Sequence, residues 1–223
     1  MAKNIVIAID GPAGSGKSTL ASLVAKELGY VYLDTGAMYR AVTYLAIKNK
    51  VINDSSAIID LVKKSKIELK YENGINKVIA NGEDITKEIR TLEVNSFVSE
   101  VAKIKEVREE LVALQQKIGN EINIVAEGRD TTTTVFPEAD LKIFMVASIE
   151  ARAERRYKEN KEKAIAGTLE EIIENLKKRD QIDSGRAVSP LRKADDAIEM
   201  DTTNMTIEEE VKFIVSKINE KIK

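Results

Sequence analysis

Five short apolar runs predict the strands of a parallel sheet. The first, Ile5–Asp10, is almost wholly apolar, as expected for a strand that is buried on both faces. The segment Ser18–Leu28 places its leucines and Val24 on one helical stripe, and Gly29 follows where a helix-ending glycine is expected. Strands that alternate with helices indicate an α/β protein with helices on both faces of the sheet. The four remaining strands are predicted at Tyr30–Leu33, Ile122–Ala126, Leu141–Ala147 and Ala197–Met200.

One region interrupts this alternation. Ile67–Tyr71 and Lys77–Ala80 resemble strands of a small antiparallel meander, with turn signals at Asn73-Gly74 and Asn81-Gly82. Helical patterns flank the meander, at Gly36–Lys50 and Thr91–Gly119. We therefore interpret residues 36–100 as a subdomain that is inserted into the sheet domain.

Three helix starts carry capping signals. Ser148 is a candidate N-cap, and the pairs Thr168 with Glu171 and Thr206 with Glu209 have capping-box spacing. Between the first two of these starts lies a short polar run, Lys158–Ala166. This run is either a mobile flap or a solvated helix end, and the sequence leaves both interpretations open.

Composition excludes several kinds of chemistry. The 223 residues include no cysteine and no histidine, so there is no thiolate nucleophile, no Ser–His–Asp triad and no histidine-bound zinc. The net charge of −2 argues against non-specific nucleic-acid binding. No apolar run approaches membrane-spanning length, and the first ten residues lack a signal-peptide layout. These features predict a cytoplasmic protein whose partners are small molecules, neither nucleic acid nor membrane.

The segment from Gly11 to Ser18 fits the phosphate-loop pattern G-x-x-x-x-G-K-[ST] between a strand and a helix. The glycines let successive backbone N–H groups surround an anion, and the helix start adds its positive dipole end. We expect Lys17 to reach the β- and γ-phosphates of ATP, and the Ser18 hydroxyl to bind Mg²⁺. The predicted ATP-binding residues of this segment are Gly11, Pro12, Ala13, Gly14, Ser15, Gly16, Lys17, Ser18 and Thr19.

A phosphate loop alone does not fix the activity. A switch GTPase needs an N-K-x-D segment, and Asn76-Lys77 continues as Val78-Ile79 instead. A mechanical ATPase needs an apolar strand that ends in an acidic Mg²⁺ contact. The segment Ile124–Glu127 could supply that contact, so the sheet pattern leaves this alternative open.

The arginines indicate a second anion site. The chain has 25 lysines but only 10 arginines, and arginine is the better residue for gripping a phosphate with two hydrogen bonds. Surface ion pairs are the alternative explanation for any single arginine. For the set as a whole we favour a convergent site for two phosphorylated molecules. Nine arginines lie in or beside segments rich in Gly, Asp or Thr: Arg40, Arg90, Arg108, Arg129, Arg152, Arg155, Arg156, Arg179 and Arg186.

With these segments the chain resembles the bacterial cytidylate kinases, members of the nucleoside monophosphate kinase superfamily, nearly from end to end. Besides the phosphate loop, the resemblance rests on Leu33–Arg40, Ile89–Val94, Val107–Leu111, Gly128–Asp130, Val135–Pro137 and the spaced motif from Arg179 to Leu191. It implies a P-loop core of 1–35, 101–157 and 168–223 with a five-stranded parallel sheet. Residues 36–100 are then the monophosphate-binding subdomain and 158–167 a short lid.

The resemblance also implies residue roles. Thr35 and Asp130 face the cytosine, with Arg108 nearby, and Arg40 with Arg129 holds the acceptor phosphate. The ribose contacts are Ser99, Arg179 and Asp183. On the donor side the residues are Arg152, Arg156, Thr202 and Thr203. The residues expected to act on the transferring phosphoryl group are Lys17, Arg129, Arg156 and Arg186.

The chain departs from the family pattern at three positions. Thr132 replaces a glycine, Glu127 stands where Asp is common, and Gln116 stands where a basic residue is common. These departures concern the backbone near Asp130 and leave the reaction class unchanged. The predicted reaction is direct in-line transfer of the γ-phosphoryl group of ATP to CMP or dCMP with Mg²⁺, by a monomer. The competing hypothesis is a non-catalytic ATP sensor, which needs no second anion site.

Overall fold

The computed structural model describes residues 3–72, 75–162 and 166–222. Its sheet is ordered β2-β6-β1-β7-β8, and every neighbouring pair of strands in it is parallel. The predicted five-stranded parallel sheet is therefore confirmed. In chain order the elements are β1 Val6–Asp10, α1 Lys17–Leu28, β2 Val31–Asp34, α2 Thr35–Lys48, α3 Ser55–Lys64, β3 Ile67–Glu72, β4 Ile75–Ala80, β5 Glu83–Asp84, α4 Leu92–Val101, α5 Lys105–Glu121, β6 Ile124–Gly128, β7 Leu141–Val146, α6 Ile149–Glu162, α7 Leu169–Gly185, β8 Ile198–Asp201 and α8 Ile207–Lys221.

Alternating residues of β1 and β6 bury both faces of the sheet. Ile7 and Ile9 pack with α1 and α8 on one face. Val6 and Ile124 pack with Phe136 and with α5 on the other. Every residue of β1 and β6 is buried, which explains why these strands are continuous apolar runs in the sequence.

The predicted helix boundaries rest on the expected capping groups. Gly29 ends α1 in the left-handed conformation, with φ 67°. The Ser148 hydroxyl accepts from the Ala151 amide at 3.1 Å at the start of α6. Both predicted capping boxes, at Thr168 and Thr206, are present.

The segment between β2 and α5 has its own small sheet, ordered β3-β4-β5 and antiparallel. A separate apolar cluster joins α2, α3, α4 and this sheet, and Val107 and Leu111 of α5 belong to it. Asn81 and Gly82 have positive φ values of 52° and 86°, which confirms a tight turn there. The other predicted turn, Asn73-Gly74, lies outside the described residues.

Two features of this region differ from the sequence expectation. Helix α3 was not predicted; it is short and buries only Ile58 and Val62. The helical pattern predicted over Thr91–Gly119 is two helices, α4 and α5, with a break after Val101. The break leaves the Ala102 carbonyl free to accept from Arg108 Nη1 at 3.2 Å.

The predicted lid, 158–167, begins on α6. Residues 158–162 are the last residues of that helix, and residues 163–165 lie outside the described part of the chain. A mobile lid therefore stays a prediction. Among the helices of the described residues, none is both long and apolar enough to span a bilayer.

Candidate active site

The candidate site lies at the carboxyl ends of the central strands. β1, β2 and β6 end at or next to buried carboxylates, which are Asp10, Asp34 and Glu127. Open parallel sheets bind ligands at this edge. The phosphate loop follows β1 at this edge.

The phosphate loop needs its glycines. Gly14 and Gly16 have φ values of 76° and 95°, which side-chain-bearing residues rarely adopt. A Cβ on Gly11 would lie 2.4 Å from the Met145 carbonyl oxygen. Gly16 is the N-cap of α1 and offers no side-chain cap, so the first amides of that helix are left for another acceptor.

Lys17 lies folded into the loop. Its Nζ donates to the Pro12 carbonyl at 2.8 Å and to Ser15 Oγ at 3.3 Å. Burial, and next the charge of Arg129, lower the pKa of Lys17 to about 7, although Glu127 acts in the opposite direction. An anion in the loop would restore the charged ammonium, because an opposite charge favours the ionised form.

The Ser18 hydroxyl donates to Glu127 Oε1 at 2.8 Å, and Tyr32 donates to the same oxygen at 3.3 Å. Burial, and next Asp34, raise the pKa of Glu127. A hydroxyl next to a buried carboxylate is the oxygen donor set that phosphate-loop proteins use for Mg²⁺. The residues present therefore fit that ion.

The backbone after β6 is anchored to β1. Asp10 accepts from the amides of Thr131 and Thr132, at 2.9 and 2.7 Å, and from the Thr132 hydroxyl at 2.7 Å. Burial raises the pKa of Asp10, while these hydrogen bonds lower it. Thr132, which replaces the family glycine, thus supplies a third hydrogen bond to a carboxylate that is fully buried.

Three arginines on the predicted acceptor side are held by carboxylates. Arg40 Nη2 lies 2.9 Å from Asp34 Oδ2, and Arg129 Nε lies 2.7 Å from Asp183 Oδ2. Arg108 forms a short, buried ion pair with Asp130. The sequence left open whether such arginines merely form surface pairs, and in all three pairs the carboxylate is largely buried.

The Arg108–Asp130 pair is buried beside Tyr39. The Arg108 guanidinium lies 5.3 Å from the centre of the Tyr39 ring. Burial raises the pKa of Tyr39 to about 12. The Tyr39 hydroxyl, Arg108 Nε and Arg186 Nε have no hydrogen-bond partner within the described residues. Unpaired buried donors are uncommon in proteins, so these three indicate a place for an absent ligand.

The remaining cations converge beside Arg129. Burial, and next the charge of Arg129, lower the pKa of Arg179 to about 10, with further contributions from Arg156 and Arg40. Burial, and next Arg108, lower the pKa of Arg186. Repulsion among guanidiniums that share one region is the electrostatic signature of an anion site.

On the donor side the structure separates residues that the sequence grouped together. Arg152 Nη1 donates to the Ala13 carbonyl at 2.9 Å and lies 2.7 Å from Asp180. Arg156 is partly exposed and pairs with Glu159 at 2.8 Å. Thr202 is fully buried, and Thr203 Oγ1 accepts from the Ser148 amide at 3.0 Å.

Other predicted residues lie at the same edge with different contacts. Thr35 Oγ1 donates to the Glu127 carbonyl at 2.8 Å. Ser99 is half-buried on α4, and Thr19 is exposed in the first turn of α1.

Sequence reasoning missed Asp10 and Tyr39 as site residues, and it included Arg155 only in the general set of nine arginines. Asp10 carried a signal, because it ends an apolar strand next to a glycine. The contacts of Arg155 carried no local signal, since its partners lie in distant segments.

The phosphate loop at the carboxyl edge of a five-stranded parallel sheet defines a P-loop protein, and a cluster of guanidiniums lies beside that loop. The cytidylate kinase family model matches residues 7–220. Cytidylate kinases of Bacillus cereus and Clostridioides difficile are 50% and 52% identical to this chain. The B. cereus match covers 98% of both chains, and the C. difficile match covers 97% of this chain and 99% of the relative. The chain belongs to the cytidylate kinase family.

Solved structures agree on the fold. An uncharacterised protein from Eubacterium ventriosum has a TM-score of 0.55 at 12% identity, covering 98% of this chain and 99% of that one. The protein TT1252 from Thermus thermophilus has a TM-score of 0.50 at 16% identity, with both chains fully covered.

Proposed function

We propose that this protein transfers the γ-phosphoryl group of ATP to CMP or dCMP, giving ADP and CDP or dCDP, by direct in-line transfer. The observation that carries this proposal is the guanidinium cluster next to the phosphate loop. ATP alone requires one anion site, whereas a monophosphate acceptor requires a second one close by.

The donor phosphates occupy the loop Gly11–Thr19. Its backbone amides and Lys17 neutralise the β- and γ-phosphates as negative charge shifts between them. Ser18, with Glu127 beside it, would hold Mg²⁺, which supplies further neutralisation of the phosphate oxygens when bound. Donation to the Pro12 carbonyl keeps the Lys17 ammonium aimed into the loop before ATP arrives.

The acceptor phosphate lies against the guanidiniums of Arg40 and Arg129. Arg40 and Arg129 are held by Asp34 and Asp183, so their positions are set before the substrate binds. Arg186, together with Arg129, Arg156 and Lys17, stabilises the transferring group. Pre-positioned cations of this kind lower the barrier without covalent participation by the protein.

The cytosine lies in the pocket of Asp130, Arg108 and Thr35. Cytosine presents an N4 amine donor next to an acceptor nitrogen. Asp130 can accept from the amine while Arg108 donates to the ring nitrogen, and their existing ion pair already sets this donor–acceptor order. Ser99, Arg179 and Asp183 lie toward the ribose, and Thr202 and Thr203 toward the adenine of ATP.

The segment 36–100 acts as the monophosphate-binding subdomain, 158–167 as the lid, and 1–35, 101–157 and 168–223 as the core. Closure of subdomain and lid would expel water, which otherwise competes with CMP for the phosphoryl group. We further propose a monomer in the cytoplasm, consistent with a net charge of −2 and the absence of cysteine.

An acceptor panel tests the proposal. ATP with Mg²⁺ is mixed with each of CMP, dCMP, UMP, AMP and GMP, and ADP release is followed. We expect turnover with CMP and dCMP that far exceeds turnover with the purine acceptors. ATP binding without acceptor-dependent ADP release would instead favour the non-catalytic ATP sensor.

A further inference from the structure

Two arginines of helix α6 hold the phosphate loop through hydrogen bonds to its carbonyls. Arg152 Nη1 donates to the Ala13 carbonyl at 2.9 Å, and Arg155 Nη1 donates to the Ser15 carbonyl at 3.0 Å. When the amides of a loop turn inward to an anion, its carbonyls need hydrogen-bond donors from elsewhere. These two arginines, one helical turn apart, satisfy the carbonyls of alternate loop residues.

Arg155 makes a second connection that Arg152 lacks. Its Nη1 donates to Thr202 Oγ1 at 3.2 Å, and its Nη2 donates to the Thr202 carbonyl. Thr202 is fixed in turn, because its amide donates to the Val146 carbonyl at 2.8 Å. One guanidinium therefore joins the phosphate loop to the turn that follows β8.

The contacts of Arg155 suit the planar fork of a guanidinium. Its hydrogen-bond acceptors are three uncharged oxygens in two segments. Burial raises the pKa of the nearby Glu210 to about 7, and the charge of Arg155 opposes that rise. Arg152, by contrast, is anchored by Asp180. Loss of Arg155 would free the loop and the Thr202 turn from each other.

We propose that Arg155 is a positioning residue for the donor nucleotide, setting the phosphate loop at Ser15 and the turn at Thr202 as one unit. This inference rests on the proposed function, in which the phosphates of ATP occupy the phosphate loop and the adenine of ATP lies near Thr202. Arg155 touches neither nucleotide in this role. The acceptor pocket at Arg108 and Asp130 has no contact with it.

Arg155→Met tests the role, since methionine keeps much of the aliphatic stem and removes every donor. Loss of charge-assisted hydrogen bonds predicts a rise in the KM for ATP of roughly tenfold or more. The KM for CMP should stay within about twofold, because the acceptor site is separate. Arg155→Lys keeps the charge without the fork and should fall between wild type and Arg155→Met. Arg192→Met, at an exposed arginine outside the site, is the matched control and should leave both constants unchanged.

Equal rises in both KM values, or an unchanged KM for ATP, would overturn the proposal. If Arg155→Met does not fold, Thr202→Val removes the hydroxyl that accepts from Arg155 and donates to the Val146 carbonyl at 3.3 Å. A rise of roughly threefold in the KM for ATP supports the role, and no rise rejects it. Calorimetry with ATP alone separates this inference from the proposed function. Wild type that binds ATP but does not phosphorylate CMP would refute the function, while weaker ATP binding by Arg155→Met would still support the positioning role.

Discussion

The donor and acceptor halves of the site hold their cations in different ways. In the donor half, three cationic side chains donate to backbone carbonyls of the phosphate loop: Lys17 to Pro12, Arg152 to Ala13 and Arg155 to Ser15. Arg152 also pairs with Asp180. In the acceptor half, three guanidiniums pair with carboxylates: Arg40 with Asp34, Arg108 with Asp130 and Arg129 with Asp183.

This difference separates general binding of a triphosphate from selection among acceptor bases. A loop that binds through its backbone recognises any triphosphate, because every residue carries the same N–H group. Side-chain pairs can also read the pattern of donors and acceptors on a base, and they leave buried groups unpaired when the pattern is wrong. Changes in the donor half should therefore affect all acceptors alike, whereas changes in the acceptor half should alter the choice among them.

The largest expected effect comes from the donor half. Lys17→Ala should lower kcat/KM at least about hundredfold for every acceptor, because its charge-assisted phosphate contact strengthens in the transition state. The melting temperature should not fall, since the buried ammonium is already disfavoured, with its pKa lowered to about 7. Steady-state kinetics measures kcat/KM, and thermal unfolding measures the melting temperature. Lys26→Ala, on the exposed side of α1, is the control. A folded Lys17→Ala protein with wild-type activity would contradict the assignment of the donor site.

The acceptor half should respond selectively to Asp130→Asn. An ionised carboxylate only accepts hydrogen bonds, whereas an amide can rotate and serve either cytosine or uracil. The preference for CMP over UMP should shrink by about 2–4 kcal/mol, mainly through loss of CMP turnover. The ratio of kcat/KM values for the two substrates measures this change.

Two results decide the role of Asp130. Asp60→Asn, on the exposed side of α3, should leave the ratio unchanged. If Asp130→Asn lowers kcat/KM for CMP and for UMP by the same factor, Asp130 serves only to hold Arg108 and does not select the base.

The donor and acceptor halves of the site meet at Gly128. A substitution at this residue tests how tightly the two halves are packed together. A Cβ there would lie 2.5 Å from both Thr35 Oγ1 and Thr131 Oγ1, in a region without free space. Gly128→Ala should destabilise the protein by about 3 kcal/mol, because neither short side chain can move away. Chemical denaturation measures the loss. Gly185→Ala, which meets nothing within 4 Å, should lose no stability; an equal loss in both variants would show that packing at Gly128 is not the cause.

Local patterns made the sheet and the donor loop predictable. The run Ile5–Asp10 and the glycines that follow specify strand, loop and helix through neighbouring residues alone. Helix α3 was missed because its apolar face consists of little more than Ile58 and Val62. The break between α4 and α5 lets the Ala102 carbonyl accept from Arg108, a side-chain contact that apolar periodicity does not indicate.

The partners of the site's charged residues could not be predicted from local patterns. Arg129 and Asp183 lie 54 residues apart, and the Arg155 contacts with Ser15 and Thr202 span 140 and 47 residues. Spacing gives no information about such pairs, since the fold alone brings them together. The family resemblance supplied Arg129, Asp130 and Asp183 as site residues, but it did not indicate which of them pair.

The smallest expected effect concerns the hydroxyl of Thr132, which ties the acceptor-side turn to Asp10 at the base of the donor loop. Thr132→Val keeps the shape and removes this hydrogen bond, whereas Thr132→Ser keeps the bond. Burial raises the pKa of Asp10 above its ordinary 3.8, and the Thr132 side chain opposes that rise. Thr132→Val should therefore raise the pKa of Asp10 further, since the ionised carboxylate loses a hydrogen-bond donor.

The sign of the pH dependence follows from proton binding. A folded pKa above the unfolded value means that the native state holds the Asp10 proton more tightly, so stability falls as pH rises through the folded pKa. Thr132→Val should make this loss of stability with rising pH larger. Below the unfolded pKa, Asp10 is protonated in both proteins, so their stabilities should differ little. At neutral pH the loss should reach about 1.5–3 kcal/mol, the value of a hydrogen bond to a charged group. Denaturant unfolding of wild type, Thr132→Val and Thr132→Ser at acidic and neutral pH measures it. A loss that is the same at both pH values would mean that the hydroxyl stabilises the turn without acting on the charge of Asp10.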